Sequence, residues 1–428
     1  MRKALYVLLI ICVVFCIVTP AFADLYSYVH AADPSYSWKF KTVTTDSKGS
    51  RIYELELHSQ VWEGIPWTHR VLLFMPAHLR YRGDCTLYIT GGSGGMEEMM
   101  IGKAISNATD TPLAILFNIP NEPLFGGKSE DALIAYTFNK YLDGGNSNWL
   151  LLFPMVKSAV KCMDALQAFT RQRHMDPLKH FIVAGASKRG WTSWLAGCIG
   201  DPRVSAIIPM SYDNLNLQAQ MPHQLKVWGH YSAMIDDYTK LGIQKRMTTP
   251  RGVKLTRLVD PWTYRSKMTM PKFMIRGSND PYWTTDAMNL YWNGLPYPKW
   301  MLILPNSGHE LNDHTLLVRG LISYIRAIFS KTLPEQPTWR FVSNKPGEKL
   351  IINSPAAKDA MLWVTTSHTK DFRKRQWKAI LLKKRGAEFV TEIKKPASGY
   401  KAVYAQIDLR SKGGLLPVTT SISILGAD

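Results

Sequence analysis

Cysteine is scarce in this chain of 428 residues: there are five, and two of them, Cys12 and Cys16, fall inside an apolar N-terminal run. The remainder, Cys85, Cys162 and Cys198, cannot build a disulfide scaffold; they allow one bridge and one leftover thiol. The best pair, if one forms, is Cys162 with Cys198, because both lie on predicted helices flanking the same strand. Zinc-type spacing is missing as well. His223 with His230, and His309 with His314, are loose pairs without a third ligand. No metal and no organic cofactor is therefore expected. Acidic residues are outnumbered, 33 against 52 basic ones, for a net charge of +19. There is no low-complexity tract and no repeat with a period of 20–50 residues, which excludes linker-like and solenoid architectures. Beyond the N-terminus no apolar run is long enough to span a bilayer.

The N-terminal run itself has the layout of an export signal. Arg2 and Lys3 precede "ALYVLLIICVVFCIV", and Ala21-Phe22-Ala23 supplies a small-x-small cleavage pattern. The expectation is a signal peptide over residues 1–23, a mature chain from Asp24, and a periplasmic or secreted product that is not transmembrane after processing. For such a product, the basic balance favours an anionic polysaccharide or lipid surface as partner, and argues against nucleic acid. The plainer reading of the charge is solubility.

Further along, period-2 patterns over residues 36–76 predict antiparallel strands. "CTLYITGGSGG" reads as a buried strand running into a glycine loop, and "TPLAILFNIP" as another strand. Residues 119–150 read as a long polar and aromatic segment. "LLFPMVKSAVKCMDALQAFTRQ" has helical spacing. Short apolar strands then alternate with helices: "HFIVAGA", "VSAIIPMSYD", "KFMIRGSND" and "KWMLILPNSGHE". That alternation predicts a mostly parallel sheet covered on both faces. A stretch at about 215–265, rich in Trp, Tyr and Met, interrupts the alternation and reads as a helical insertion. After Pro337 several short strands follow without helices, which predicts a small C-terminal β-sandwich over 336–428, behind a main domain over 24–335.

Chemistry is suggested by "VAGASKRGW". A serine on a sharp strand-to-helix turn is how α/β-hydrolases present a nucleophile, in the pattern G-x-S-x-G. Here Arg189 stands where the second glycine is usual, and Gly190 comes one residue later. A serine needs a base, and the base needs an orienting acid. Asp280 in "GSNDPYW" and His309 in "PNSGHE" follow Ser187 in the α/β-hydrolase order, each just past a predicted strand. Parallel strands bring their carboxyl ends to one edge of the sheet, so the three positions converge. Pro281 keeps Asp280 out of helical geometry. Asp213, in "MSYDNLN", is the rival acid. The expected oxyanion donors are the backbone N–H groups of Lys188 and of Gly92 in the loop Thr90-Gly91-Gly92-Ser93-Gly94-Gly95. Arg189, Trp191, Asp213 and Trp283 are candidate substrate contacts; Arg189 equally suits a scaffold ion pair, and the tryptophans suit core packing.

With these residues assembled, the chain resembles the PhoPQ-activated pathogenicity-related protein family, over roughly residues 30–420. The markers are "YITGGS", "SEDALIAYTF", "GASKRGWTSWL", "YDNLN", "DPWTYRSKMTMPKFMIRGSND" and "LPNSGH". The resemblance implies an α/β-hydrolase with Ser187, Asp280 and His309 as its triad, and a link to virulence. It implies no substrate. The wider serine–glycine spacing is also similar to glucuronoyl and related carbohydrate esterases. The expected activity is thus hydrolysis of an ester or amide, on a small-molecule or acylated envelope substrate. The competing expectation is a non-catalytic binding or signalling protein on the same scaffold.

Overall fold

The computed structural model describes residues 24–427; the expected signal peptide lies outside them. Its centre is a nine-stranded sheet in the order β1-β2-β3-β5-β4-β6-β7-β8-β9. The strands are β1 (Ser37–Thr45), β2 (Arg51–Trp62), β3 (Ile65–Met75), β4 (Asp84–Ile89), β5 (Leu113–Leu116), β6 (His180–Ala186), β7 (Val204–Met210), β8 (Lys272–Gly277) and β9 (Lys299–Leu304). The first three form an antiparallel meander, and β3 pairs antiparallel with β5. From β5 to β9 every pairing is parallel. Their composition explains the difference. The inner half of β2 alternates, with Tyr53, Leu55 and Leu57 buried, as suits a strand with one wet face. Strand β6 is a continuous apolar run buried on both faces.

Crossover helices supply the parallel connections. From β4 to β7 they are α2 (Met96–Thr109), α3 (Glu130–Gly144), α4 (Leu152–Gln172) and α5 (Lys188–Cys198), whereas α1 (Leu25–His30) precedes β1 and shares a core with α4. Val183 of β6 sits in one core with Phe169 of α4 and Trp194 of α5. Its neighbours Ile182 and Ala184 point to the other core, shared with Ile105 of α2 and with Tyr324 of a later helix, α10 (His314–Phe329). The two-residue period of the strand thus sorts consecutive side chains into the two layers.

Between β7 and β8 the chain is helical: α6 (Leu217–Trp228), α7 (Asp236–Lys240), α8 (Ile243–Arg246) and α9 (Pro250–Val259), with a 3₁₀ turn over Pro261–Lys267. Asp260 fastens this segment by accepting from the backbone N–H groups of Asn216, Leu217 and Trp262. Helix α3 lies within the segment read from sequence as polar and aromatic. Its signal was there, since Leu133, Ile134, Thr137, Phe138, Tyr141 and Leu142 repeat at helical spacing and are all buried.

Past residue 337 come β10 (Thr338–Asn344), β11 (Gly347–Asn353), β12 (Ala357–Ser367), β13 (Lys378–Leu381), β14 (Lys384–Arg385), β15 (Glu388–Lys394), β16 (Tyr400–Ser411), β17 (Gly414–Thr419) and β18 (Ser423–Gly426). They form two antiparallel sheets, β10-β11-β15-β14 and β13-β12-β16-β17, with β18 also on β16. Strand β17 covers the otherwise open edge at β9, where the Ile303 N–H donates to Thr419 Oγ1 at 3.2 Å. The same module reaches the sheet's carboxyl edge. Asn279 Nδ2 donates to the carbonyls of Phe372, Arg373 and Arg375, and Asn306 exchanges two hydrogen bonds with the Trp377 backbone.

All three described cysteines are free thiols, buried in apolar packing. The Cys162–Cys198 bridge is absent; Cys198 Sγ instead donates to the Trp194 carbonyl one turn back in its own helix. Burial pushes the Cys162 and Cys198 thiols well above the ordinary range. No described helix is long and apolar enough to cross a membrane.

Candidate active site

Ser187 joins β6 to α5 with φ 57° and ψ −123°, a conformation that strains any residue but glycine. Its own N–H donates to the Met210 carbonyl on β7, and its carbonyl accepts from Trp191 N–H in the first turn of α5. Two close approaches make the turn possible. A Cβ on Gly185 would lie 2.5 Å from the Arg189 carbonyl, and one on Gly190 would run into the Met210 carbonyl. The glycine third after the serine is therefore the one facing the neighbouring strand. The second position points elsewhere and tolerates a long side chain.

The turn aims Ser187 Oγ at His309 Nε2, 2.9 Å away, and His309 Nδ1 lies 2.9 Å from Asp280 Oδ2. A carboxylate only accepts, so Nδ1 carries the proton and Nε2 is left to accept from the serine hydroxyl. The other Asp280 oxygen accepts the Tyr282 N–H at 2.9 Å, which fixes the carboxylate plane. Asp280 and His309 sit in the loops after β8 and β9, at the edge where β6 delivers the serine. The Tyr282 ring lies on the imidazole, with centroids 4.2 Å apart. Tyr282 and Tyr238 both donate to Asp131, and Lys188 Nζ lies 3.3 Å from the same carboxylate. Chemically, this array can remove a proton from the serine and return it to a leaving group.

Other sequence-based expectations need correction. Gly92 spends its N–H on Thr90 Oγ1 at 3.1 Å, inside a loop organised by Glu98, which accepts from Thr90 Oγ1 and from the Gly94 and Gly95 N–H groups. Gly91, not Gly92, lines the cleft with Ser187. Lys188 opens α5, where an N–H lacks an intrahelical acceptor and the helix end favours negative charge.

Arg189 borders the groove, but its guanidinium is committed to the scaffold. Its guanidinium donates to Glu130 at 2.9 Å, to Glu122 at 3.1 Å and to the Ile119 carbonyl. A Cβ on Gly91 would collide with it, so the glycine loop is shaped around this arginine. Burial and the neighbouring Glu130 push Glu122 up to about 7. Burial works the same way on Glu130, but Arg189 and Lys188 outweigh it and hold that carboxyl low. Asp213 does not face the site. It is buried against Arg276 and accepts the Tyr291 hydroxyl at 2.6 Å.

Trp191 and Trp283 do line a cavity beside Ser187. Trp191 stacks on Tyr212 at 4.8 Å and donates to the Val259 carbonyl, which ties α5 to α9. The cavity measures about 70 Å³, and most of its exposed lining is apolar. An open groove of about 650 Å³ adjoins it, sharing Ser187, Tyr282 and His309. Among the described residues no cluster of three or more His, Cys, Asp or Glu side chains is placed to hold a metal ion.

Comparisons agree with this architecture. Among solved structures, the acetyl xylan esterase from Paenibacillus sp. R4 superposes with a TM-score of 0.50 at 13% identity, covering 71% of this chain and 92% of that one. Acetyl xylan esterase 1 from Thermoanaerobacterium sp. JW/SL YS485 gives 0.46 at 13% identity, over 71% and 91%. At such identities the first likeness concerns the α/β-hydrolase fold alone. Autocrine proliferation repressor protein A of Dictyostelium discoideum is 33% identical over 366 residues, 79% of this chain and 71% of that protein. The family described as PhoPQ-activated pathogenicity-related protein matches residues 25–373, and the chain belongs to that family.

Proposed function

We propose that this protein is an exported serine hydrolase acting on esters. The observation that carries the reading is the strained Ser187 turn pointing its hydroxyl at His309 Nε2, 2.9 Å away, with Asp280 behind the ring. Ser187 Oγ attacks the carbonyl carbon while His309 takes its proton, and Asp280 stabilises the imidazolium. The N–H groups of Gly91 and Lys188 receive the oxyanion. The tetrahedral intermediate then expels the alcohol, which leaves with the proton from His309. Water, deprotonated by the same ring, releases the acid and restores the serine. An alkoxide needs less protonation to depart than an amine, so esters come before amides. The segment over residues 1–23 carries the export part of the proposal, and N-terminal sequencing of the mature protein should begin at Asp24.

The test is steady-state hydrolysis of p-nitrophenyl acetate by the wild type, Ser187→Ala and His309→Gln. A loss of at least a thousandfold in both variants supports the reading. A wild type no faster than its Ser187→Ala variant sinks it. A second reading, a binding or signalling protein on a hydrolase scaffold, is favoured by a basic edge: Lys378, Lys384 and Arg385 are exposed beside the exposed Ile380 and Leu381. The name of the Dictyostelium relative also points to signalling. That reading predicts binding to anionic vesicles unchanged by Ser187→Ala.

A further inference from the structure

Ser187 stands on the boundary between two spaces of opposite character. One is the smaller cavity, bounded by Trp191, Tyr212, Leu217, Met221 and Trp283. A cavity of 150 Å³ takes up benzene, so one of about 70 Å³ has room for roughly two to four carbons. Apart from Asp131, which accepts from two tyrosines, and Lys188, which pairs with Asp131 and Glu130, no charged group lines it; a charged acyl terminus would be stranded there. The second space is the open groove. Its charged lining is Glu130, Asp131, Asp237 and Glu310 against Lys188 and Arg189. Both cations are already committed: Lys188 Nζ is 2.7 Å from Glu130, and Arg189 is shared between Glu122 and Glu130. Asp237 and Glu310 have no basic partner within ion-pairing distance among the described residues, and both are exposed. The groove is thus negative on a chain whose formal charge is +19, the reverse of what the whole-chain balance suggests for a substrate.

Resting on the hydrolase reading, we propose that the substrate is a short, uncharged acyl ester of two to four carbons, seated in the cavity, whose alcohol lies in the acidic groove and is neutral or cationic rather than anionic. Leaving groups depart through the wider space, which assigns the groove to the alcohol and the smaller cavity to the acyl chain. Long acyl chains clash with the helices of the β7–β8 connection. Anionic alcohols meet Asp237 and Glu310.

Three measurements on the full mature chain test this. The first is kcat/KM for p-nitrophenyl acetate, butyrate and octanoate; butyrate or acetate should exceed octanoate at least tenfold. The second compares acetylthiocholine with the S-acetyl ester of 2-mercaptoethanesulfonate, a cation and an anion on equivalent thiol leaving groups. The cation should be favoured tenfold or more at low salt, and the preference should shrink with salt. The third is the pair Asp237→Lys and Glu310→Lys, combined, which should abolish or invert that preference; a cation preference left intact in this variant overturns the assignment of the groove. Met221→Ala should move the chain-length optimum upward; if it does not fold, Met247→Ala on the same cavity wall serves instead. Equal or better turnover of octanoate, or a preference for the anionic leaving group, overturns the proposal while p-nitrophenyl acetate hydrolysis upholds the hydrolase reading. No hydrolysis of any ester overturns both.

Discussion

Arg189 occupies the position that the usual nucleophile-elbow pattern gives to glycine, and replacing it with Met separates two roles. If the guanidinium is a scaffold ion, its removal leaves Glu122 and Glu130 facing each other without their shared cation. Breaking a buried ion pair from one side costs roughly 3–5 kcal/mol. The Glu122 side chain is only 11% exposed and takes most of that cost, whereas Glu130 at 45% exposed keeps water and Lys188 as partners. The lower end, ~3 kcal/mol, is therefore expected, or roughly 3–4 °C in Tm for a chain of this length. The cost should also depend on pH. Glu122 in the wild type is already pushed up to about 7, first by burial. Without Arg189 it rises further, and its protonation as pH falls through 7 removes the unpaired charge. Thermal unfolding of wild type and Arg189→Met at pH 8 and pH 5.5 should show a large difference at the first pH and a much smaller one at the second. Arg189→Lys should rescue little, because an ammonium cannot span both carboxylates and the Ile119 carbonyl. Unchanged Tm at both pH values, with a raised KM, would refute this reasoning and put the guanidinium on the substrate.

The remaining predictions concern other parts of the same frame. Gly190→Ala pushes a methyl against the Met210 carbonyl and should cost roughly 1–3 kcal/mol while displacing Ser187; p-nitrophenyl acetate turnover equal to that of the wild type would contradict the packing at the elbow. Burial lowers His69 to about 4 from 6.5, so it stays neutral in the fold while the unfolded chain takes up a proton. Stability from this residue is whole above pH 6.5 and is lost as pH falls to about 4, by roughly 3 kcal/mol. His69→Gln should flatten the acid limb of stability measured by urea titration; an unchanged slope would contradict the assignment. Asn306 sits at φ 56° and its side-chain amide holds the Trp377 carbonyl. Asn306→Asp keeps the turn but loses the donor, and should lower kcat about tenfold with KM steady. If kcat is unaffected, the C-terminal module does not position the histidine loop.

What could be read from the sequence was whatever is encoded locally. Strand periods, the serine between Gly185 and Gly190, and the order Ser187, Asp280, His309 each depend on a few adjacent residues or on the shared edge of a parallel sheet. What could not be read depends on partners far apart in the chain. Arg189 meets Glu122 and Glu130 across 67 and 59 residues, and Asp213 meets Arg276 across 63. The choice of Gly91 over Gly92 rests on Thr90 and Glu98 consuming the second N–H, a competition that a glycine run does not display. The tyrosine pair on Asp131 and the acidity of the groove were missed for the same reason. Helix α3 is different, because its buried face was legible and was hidden only by aromatic and polar composition.

The most direct measurement is covalent labelling of the intact protein with a fluorophosphonate, read by mass spectrometry of its peptides. A single adduct on Ser187, formed by the wild type and absent from both Ser187→Ala and heat-denatured protein, is the predicted result. A wild type that takes up no label, or takes it up on another residue, would contradict a nucleophilic serine at this turn.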